Sequence, residues 1–418
     1  MNRQRTPFAL WFVVLAVVAC HDPIEPPRGV AASLVVTDAP DDESANVITI
    51  DHGVPHISTV AANSGELVRL FVRERVRSDI ETRPRPAVLM IHGRSVPVLA
   101  VGELRHEDYD WAGWLARSAG FDVFMLDFQG SGRSPRPRMD DPCNVPTAQQ
   151  GILIPNPLSA TCAHSYPFTL NTSGSDLDEL DRVVEYIRDL RGVDKVHLIG
   201  WSAGAFRVGP YAVQHPDKIA SLLFFAPIFN TAFIGPAPIS DPTPMTLSRR
   251  ADVFAGDGRV LGWDVEVKCE NQREAGIQDI VWAAIMDNDE LGRTWGPPPA
   301  GAPAGSPPEG VMRVRQSVNA RRVWNAEVAA QITAPTLIVW GEFDTGQGAI
   351  QHVAELYDLV QNDNKLRFTV QCAGHYMQWE TQRAVLHQIS KEWIKHGRVG
   401  GFEQGEFVVD NEGNLSPM

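Results

Sequence analysis

The sequence predicts an α/β fold, a mostly parallel central sheet with helices on both faces and an inserted cap. Three observations predict it. From residue 86 onward, short unbroken apolar runs alternate with stretches of helical period, the pattern of strands buried on both faces by crossover helices. The rhythm breaks at 135–172 and at 228–334 and resumes after each break. Composition supports a packed core: 44% of 418 residues are hydrophobic and 21% charged, unlike a disordered chain. The 37 basic and 51 acidic residues leave a formal net charge of −14. That excludes a nucleic-acid binder, which needs a basic footprint on phosphates.

The elements follow in chain order. Arg3 and Arg5 precede an apolar run from Phe8 to Ala19. A bilayer needs about 20 residues, so this shorter run predicts a signal peptide over 1–19. It closes in Val17-Val18-Ala19-Cys20, which resembles the lipobox of bacterial lipoproteins. The resemblance implies that Cys20 is lipidated and becomes the new N-terminus. Ordinary secretion with an incidental Cys is the alternative. His21, where Asp would signal inner-membrane retention, implies outer-membrane delivery. The expected location is therefore periplasmic, across the inner membrane, with a lipid anchor at Cys20. Pro23, Pro26 and Pro27 begin a stiff tether; the stretch 20–50 shows no clear period. No later segment carries 18 consecutive apolar residues.

With Cys20 lipidated, Cys143, Cys162, Cys269 and Cys372 remain. An even number in an oxidising compartment permits two disulfides, in any of three pairings. Cys143 with Cys162 is the most local option and closes a loop worth about 3 kcal/mol in the loop-entropy model. Cys269 with Cys372 would tie the second break to the last strand. Neither pair has zinc-site spacing with His, and no metal or cofactor is expected.

The first part of the core is 51–227. Two strands run from Val54 to Val76 around a turn at Asn63-Ser64-Gly65. Pro86 to Ile91 is a buried strand ending in His92-Gly93, Tyr109 to Ala119 a helix stopped by Gly120, and Phe121 to Phe128 a second buried strand. The excursion at 135–172 holds seven prolines and two cysteines, too long to be a plain connection. From Ser175, the residues Leu177, Leu180, Val184, Ile187 and Leu190 recur at helical spacing, with Ser175 and Asp178 as a capping box and Gly192 as the stop. Lys195 to Gly200 is a strand, Ala203 to His215 a helix, and Ile219 to Pro227 a strand. The cap, 228–334, contributes Trp263, Trp282, Trp295, Trp324, Phe229, Phe233 and Phe254. Most of these form its own core, and one or two line a pocket. The second part of the core, 335–396, adds strands at Thr336–Trp340 and Leu366–Val370 and helices at 347–360 and 382–395. The tail, 397–418, forms a small hairpin at Asn411-Glu412-Gly413.

Gly200-Trp201-Ser202-Ala203-Gly204 lies between a strand and a helix. A serine in G-x-S-x-G sits on a very tight turn with its hydroxyl exposed, and the glycines leave room where strand and helix nearly touch. Its hydroxyl is a weak nucleophile that needs a base, itself oriented by a carboxylate. Of twelve His, His375 follows the last core strand, in Cys372-Ala373-Gly374-His375. Asp344 follows the strand before it, with Glu342 as a backup orienter. Asp127 opens a glycine-rich turn and reads as structural, and Glu380 as a cap of the last helix. His92 reads as a structural hydrogen-bonding residue.

These residues together resemble the α/β-hydrolase superfamily over about 54–396. Four motifs agree in order: His92-Gly93, the run Asp127-Phe128-Gln129-Gly130-Ser131-Gly132-Arg133-Ser134, the Ser202 elbow, and the Asp344/His375 pair. The resemblance implies a catalytic triad of Ser202, Asp344 and His375, with oxyanion N–H groups from Arg94 and Ala203. The Arg94 side chain departs from the Gly or aromatic residue of many relatives and either contacts substrate or is solvated. A serine nucleophile implies acyl transfer, so a small-molecule carboxylic ester is the expected substrate. Two alternatives stand beside this serine esterase. One is an aminopeptidase, because the Gly130–Ser134 loop resembles that of proline iminopeptidases. The other is a non-catalytic binding lipoprotein on the same fold. Oligomeric state has no signature in the sequence.

Overall fold

A computed structural model describes residues 32–34, 46–79, 85–229, 239–256, 262–318, 323–345 and 350–418. The signal peptide, Cys20, most of the tether and Phe233 lie outside the described residues. The described residues place eleven strands in one sheet. They are β1 (Ala32–Ser33), β2 (Val47–Ile57), β3 (Leu67–Arg77), β4 (Ala87–Ile91), β5 (Asp122–Asp127), β6 (Val196–Trp201), β7 (Ile219–Phe225), β8 (Thr336–Gly341), β9 (Lys365–Val370), β10 (Gly405–Val409) and β11 (Asn414–Pro417). Their order across the sheet is β1-β11-β10-β9-β8-β7-β6-β4-β5-β3-β2. From β10 to β5 every pairing is parallel. Antiparallel strands close both edges.

The apolar runs found in the sequence are the central strands. All residues of β4 and β5 are buried, as strands covered on both faces must be. The helices that cover them are α1 (Trp111–Ala119), α2 (Ser173–Arg191), α3 (Ala205–Gln214), α5 (Ile350–Leu359) and α6 (Arg383–His396), with α4 (Ile277–Met286) in the cap. Helices α1 and α6 pack on one face through Trp111, Trp114, Leu386 and Trp393. Helices α2, α3 and α5 pack on the other through Leu180, Val184, Val208 and Leu356. Glycine in a left-handed conformation ends α1, α2 and α6, at Gly120, Gly192 and Gly397.

Three sequence expectations need correction. Helix α2 starts two residues early, and Thr172 with Ser175, not Ser175 with Asp178, forms its capping box. The apolar period sees only the buried stripe, not the polar residues of the first turn. The tail does form the expected hairpin, β10 with β11 around Asn411–Gly413, and β10 also pairs in parallel with β9, so the hairpin extends the main sheet. The aperiodic stretch before residue 51 supplies β1 and the start of β2, because a two-residue strand has no period to read. Most cap aromatics join the main core rather than a core of their own: Phe254, Trp263 and Trp282 pack into the cluster of α1 and α6, and Phe229 joins that of α2 and α3 together with Trp324. Trp324 stacks on Phe224, contacts Phe229, and sits where a Cβ on Gly209 would lie 2.2 Å from its ring.

The excursion and the cap form one continuous wall. Met139, Val145, Leu153 and Leu158 of the first share a core with Met245, Leu247, Trp295 and Val311 of the second. Within the cap, Met245–Arg249 and Val311–Arg315 make an antiparallel ribbon. Disulfides join Cys143 to Cys162 and Cys269 to Cys372, the pairing of one local and one long-range bridge considered above. No helix among the described residues is long and apolar enough to cross a membrane.

Candidate active site

The elbow forms at the end of β6. Ser202 has φ 54°, the left-handed region, and a short 3₁₀ turn over Ser202–Gly204 leads into α3. Close approach explains both glycines. A Cβ on Gly200 would lie 2.7 Å from Val208, and one on Gly204 would lie 3.0 Å from the Ile91 carbonyl. The loop after β4 runs beside the elbow: a Cβ on Gly93 would lie 3.0 Å from the Ser202 Cβ. Of the residues named as oxyanion donors, Ala203 follows Ser202 in the chain and Arg94 follows Gly93 on the loop that runs beside it.

The three residues chosen from chain order come together, although 173 residues separate the first from the last. The Ser202 hydroxyl donates to His375 Nε2 at 2.9 Å. His375 Nδ1–H donates to Asp344 Oδ2 at 3.0 Å. The tautomer follows from the partners: a carboxylate only accepts, so Nδ1 carries the proton and Nε2 is left to accept from Ser202. All three are buried, with relative exposures of 5–8%. Burial alone would push the imidazole down. The charge and hydrogen bond of Asp344, with Glu266 and Glu380 behind, outweigh it and hold His375 above the ordinary histidine value. The indole N–H of Trp201 donates to the His375 carbonyl at 3.1 Å, which anchors the loop to the elbow strand.

The other candidates take supporting places. Asp127 accepts from the Val98 N–H at 2.8 Å and the Arg133 N–H at 3.0 Å, so it shapes the loop after β4 and its own turn. His92 is fully buried, with Nδ1 at 2.6 Å from the Gly93 carbonyl. Burial, then the guanidinium groups of Arg315 and Arg207, hold it well below the ordinary histidine value. Glu342 is exposed and accepts from the Cys372 N–H at 3.1 Å, away from His375. Glu380 does not cap α6, whose N-cap Gln382 makes no side-chain cap bond. It is buried and accepts from the Gly374 N–H at 2.8 Å, Trp263 Nε1 at 2.8 Å and Gln272 Nε2 at 3.2 Å.

Two features escaped sequence reasoning. The first is Glu266, a buried cap residue whose carboxylate accepts from the His375 N–H at 2.7 Å and the Thr345 N–H at 3.1 Å. Burial, then the Asp344 charge, push its carboxyl up to about 7. The one available signal was the Cys269–Cys372 pairing, which carries neighbours of Cys269 to the His375 loop. The second is a buried network around Arg315, at the end of the cap ribbon. Arg315 binds Asp176 at 3.1 Å and the Gln129 carbonyl at 3.2 Å, and its N–H donates to Ser95 Oγ at 3.2 Å. Arg207 shares Asp176 at 2.8 Å and donates to the Ala203 carbonyl at 3.0 Å. The cap is therefore tied by buried charge to the two segments that flank Ser202.

Among the described residues, His106, Glu107 and Glu274 bring three possible metal-ligand atoms within 4.8 Å of one another. Glu274 is already paired with Arg383 at 3.2 Å. A cavity of about 710 Å³ opens on the cap between Trp282, Met286, Arg250 and Pro299, and no residue of the Ser202 site lines it.

A family profile described as alpha/beta hydrolase fold matches residues 86–382. Solved structures similar to the chain include a serine hydrolase from the polyaromatic-hydrocarbon-degrading bacterium Cycloclasticus zankles, at 13% identity and TM-score 0.45, covering 83% of this chain and 98% of that one. A monoacylglycerol lipase of Paleococcus ferrophilus is similar at 18% identity and TM-score 0.45, covering 79% and 99%. Naproxen esterase of Bacillus subtilis is similar at 12% identity and TM-score 0.42, covering 84% and 92%.

Proposed function

Since the chain belongs to the alpha/beta hydrolase fold family, we propose that it is a serine hydrolase of small-molecule carboxylic esters that works through an acyl-enzyme. The observation that carries this reading is the continuous relay from Ser202 through His375 to Asp344, at 2.9 and 3.0 Å. Ser202 Oγ attacks the ester carbonyl carbon while His375 Nε2 takes its proton. The imidazolium so formed is stabilised by Asp344, and the oxyanion by the N–H groups of Arg94 and Ala203. Collapse breaks the ester C–O bond, and His375 returns the proton to the departing alcohol. Water then attacks the acyl-enzyme with His375 as base, and the acid leaves. A fluorophosphonate probe should label Ser202 and no other residue, and nitrophenyl esters should turn over while Pro-arylamides do not. An unlabelled Ser202 would favour a binding protein on this fold, and preferential cleavage of Pro-arylamides an aminopeptidase.

The compartment is part of the same proposal. Two bonded cysteine pairs suit an oxidising space, and the Val17–Cys20 run suits a lipid anchor on the periplasmic side. Cys20→Ser should release soluble protein or block processing. Native protein recovered from the soluble fraction without acyl mass would refute the anchor.

The Cys269–Cys372 bridge should matter for activity even while the protein stays folded. Cys372 lies three residues before His375 and Cys269 three after Glu266, so opening the bridge loosens the wall and loop that hold the base. A misplacement of about 1 Å can cost about 10²-fold, while the sheet and its helices stay packed. A Cys269→Ser/Cys372→Ser variant should lose ester turnover at temperatures where it is still fully folded, even though the loop-entropy model allows a stability loss of up to about 5 kcal/mol. Unchanged turnover at those temperatures would reverse this assignment.

A further inference from the structure

The main chain of the His375 loop is held by the cap. The short helix Trp263–Glu266 brings Glu266, fully buried, against both loops of the relay. One carboxylate oxygen accepts from the His375 N–H at 2.7 Å. The other accepts from the N–H of Thr345, the residue after Asp344, at 3.1 Å, and from its hydroxyl at 3.3 Å. Each oxygen faces a backbone donor, which favours the ionised form; with burial and the Asp344 charge pushing this carboxyl up to about 7, its negative charge is fully present above that pH. The approach is tight: a Cβ on Gly374 would lie 2.7 Å from the Glu266 carboxylate and 3.2 Å from that of Glu380. Gln272 Nε2 holds the Glu266 carbonyl at 3.1 Å, and the Cys269–Cys372 bridge fastens the same segment.

On the reading of the site as a serine hydrolase, we propose that Glu266 is a positioning residue: its carboxylate clamps the base loop to the acid loop and sets a second negative charge close to the His375 imidazole. A free carboxylate in this place costs desolvation, and an apolar side chain would pack the cap as well. What the carboxylate adds is one rigid group bonded to both loops, so that the acid and the base cannot move apart. It also adds charge close to the imidazole, which favours the imidazolium that forms during attack. The groups that face His375 are Ser202 and Trp201 from the elbow, Asp344 from the loop after β8, Tyr376 and Glu380 from its own loop, and Glu266 from the cap. The charges that raise it are those of Asp344, Glu266 and Glu380, so Glu266 acts in the same direction as the relay carboxylate.

The test is a ¹⁵N NMR titration of the His375 imidazole in the full chain, paired with the rate of fluorophosphonate attachment to Ser202 across pH. Removing a negative charge beside an imidazolium destabilises the protonated form, so its midpoint moves down. Glu266→Gln should lower the His375 midpoint by about one pH unit and slow labelling by about 10–10²-fold at high pH. Glu266→Asp keeps the charge but is too short to span both loops. It should hold the midpoint near that of the unaltered protein while still losing rate. A group that only supports the fold would lower the rates of both variants and leave both midpoints in place, and that result would overturn the proposal. Should Glu266→Gln not fold, full labelling rate in Glu266→Asp would overturn it equally. Failure of the esterase reading looks different: Ser202 of the unaltered protein stays unlabelled at every pH, while the midpoint shift remains readable by NMR.

Discussion

Replacing Ser202 with alanine should leave a folded protein without ester turnover. The elbow holds this residue at φ 54° on a buried turn, and alanine enters that conformation no worse than serine. The change removes one hydroxyl and its bond to His375. Everything else that could act on a bound ester remains, so residual catalysis should sit about 10³–10⁴-fold over water. The loss in kcat should be on the order of 10⁶-fold, as in other serine hydrolases that lose the nucleophile. Turnover of a nitrophenyl ester, with circular dichroism as the fold control, measures both. Near-native turnover in the purified variant would remove the whole relay assignment.

The second large effect separates two neighbouring carboxylates. Asp344→Asn should cost about 10⁴-fold in kcat, and Glu342→Gln should stay near native. The Asp344 side chain is nearly inaccessible and accepts from His375 Nδ1–H. An amide there can donate to Nδ1 and so select the tautomer whose Nε2 carries the proton and cannot take another from Ser202. Glu342 is exposed and its one bond is from the Cys372 N–H, which a glutamine oxygen also accepts. Equal losses, or a greater loss at Glu342, would move the acid.

Much of the architecture was legible because its signals are local. Strands β4 to β8 are short, mainly apolar runs, most of them closed by glycine, and the helices between them carry a 3.6-residue stripe. The edges were legible only in part. The 54–76 strand pair and the tail hairpin are local and could be read, but β1 is two residues long, and the pairings of β10 with β9 and of β11 with β1 join distant strands through main-chain hydrogen bonds that have no side-chain signature. The helix start at Ser173 was missed for a related reason, since the Thr172 cap lies outside the apolar period. Glu380 was read as a cap because it stands just before a helix. Its partners Trp263 and Gln272 come from a cap segment more than 100 residues away.

The chain order of Ser202, Asp344 and His375, the strand–turn–helix context of Gly200–Gly204 and the acidic charge balance of the chain are properties of the residues themselves. They could be read without coordinates because each depends on what stands next to what along the backbone. The choice among three cysteine pairings, the attachment of the cap to the base loop through Glu266, and the Arg315–Asp176–Arg207 network beneath the site depend on which distant segments meet. A buried charge has no period and no motif. It survives only where folding supplies its counter-charge and hydrogen-bond partners, so the residues that brace this site become visible only once the cap has closed on the sheet.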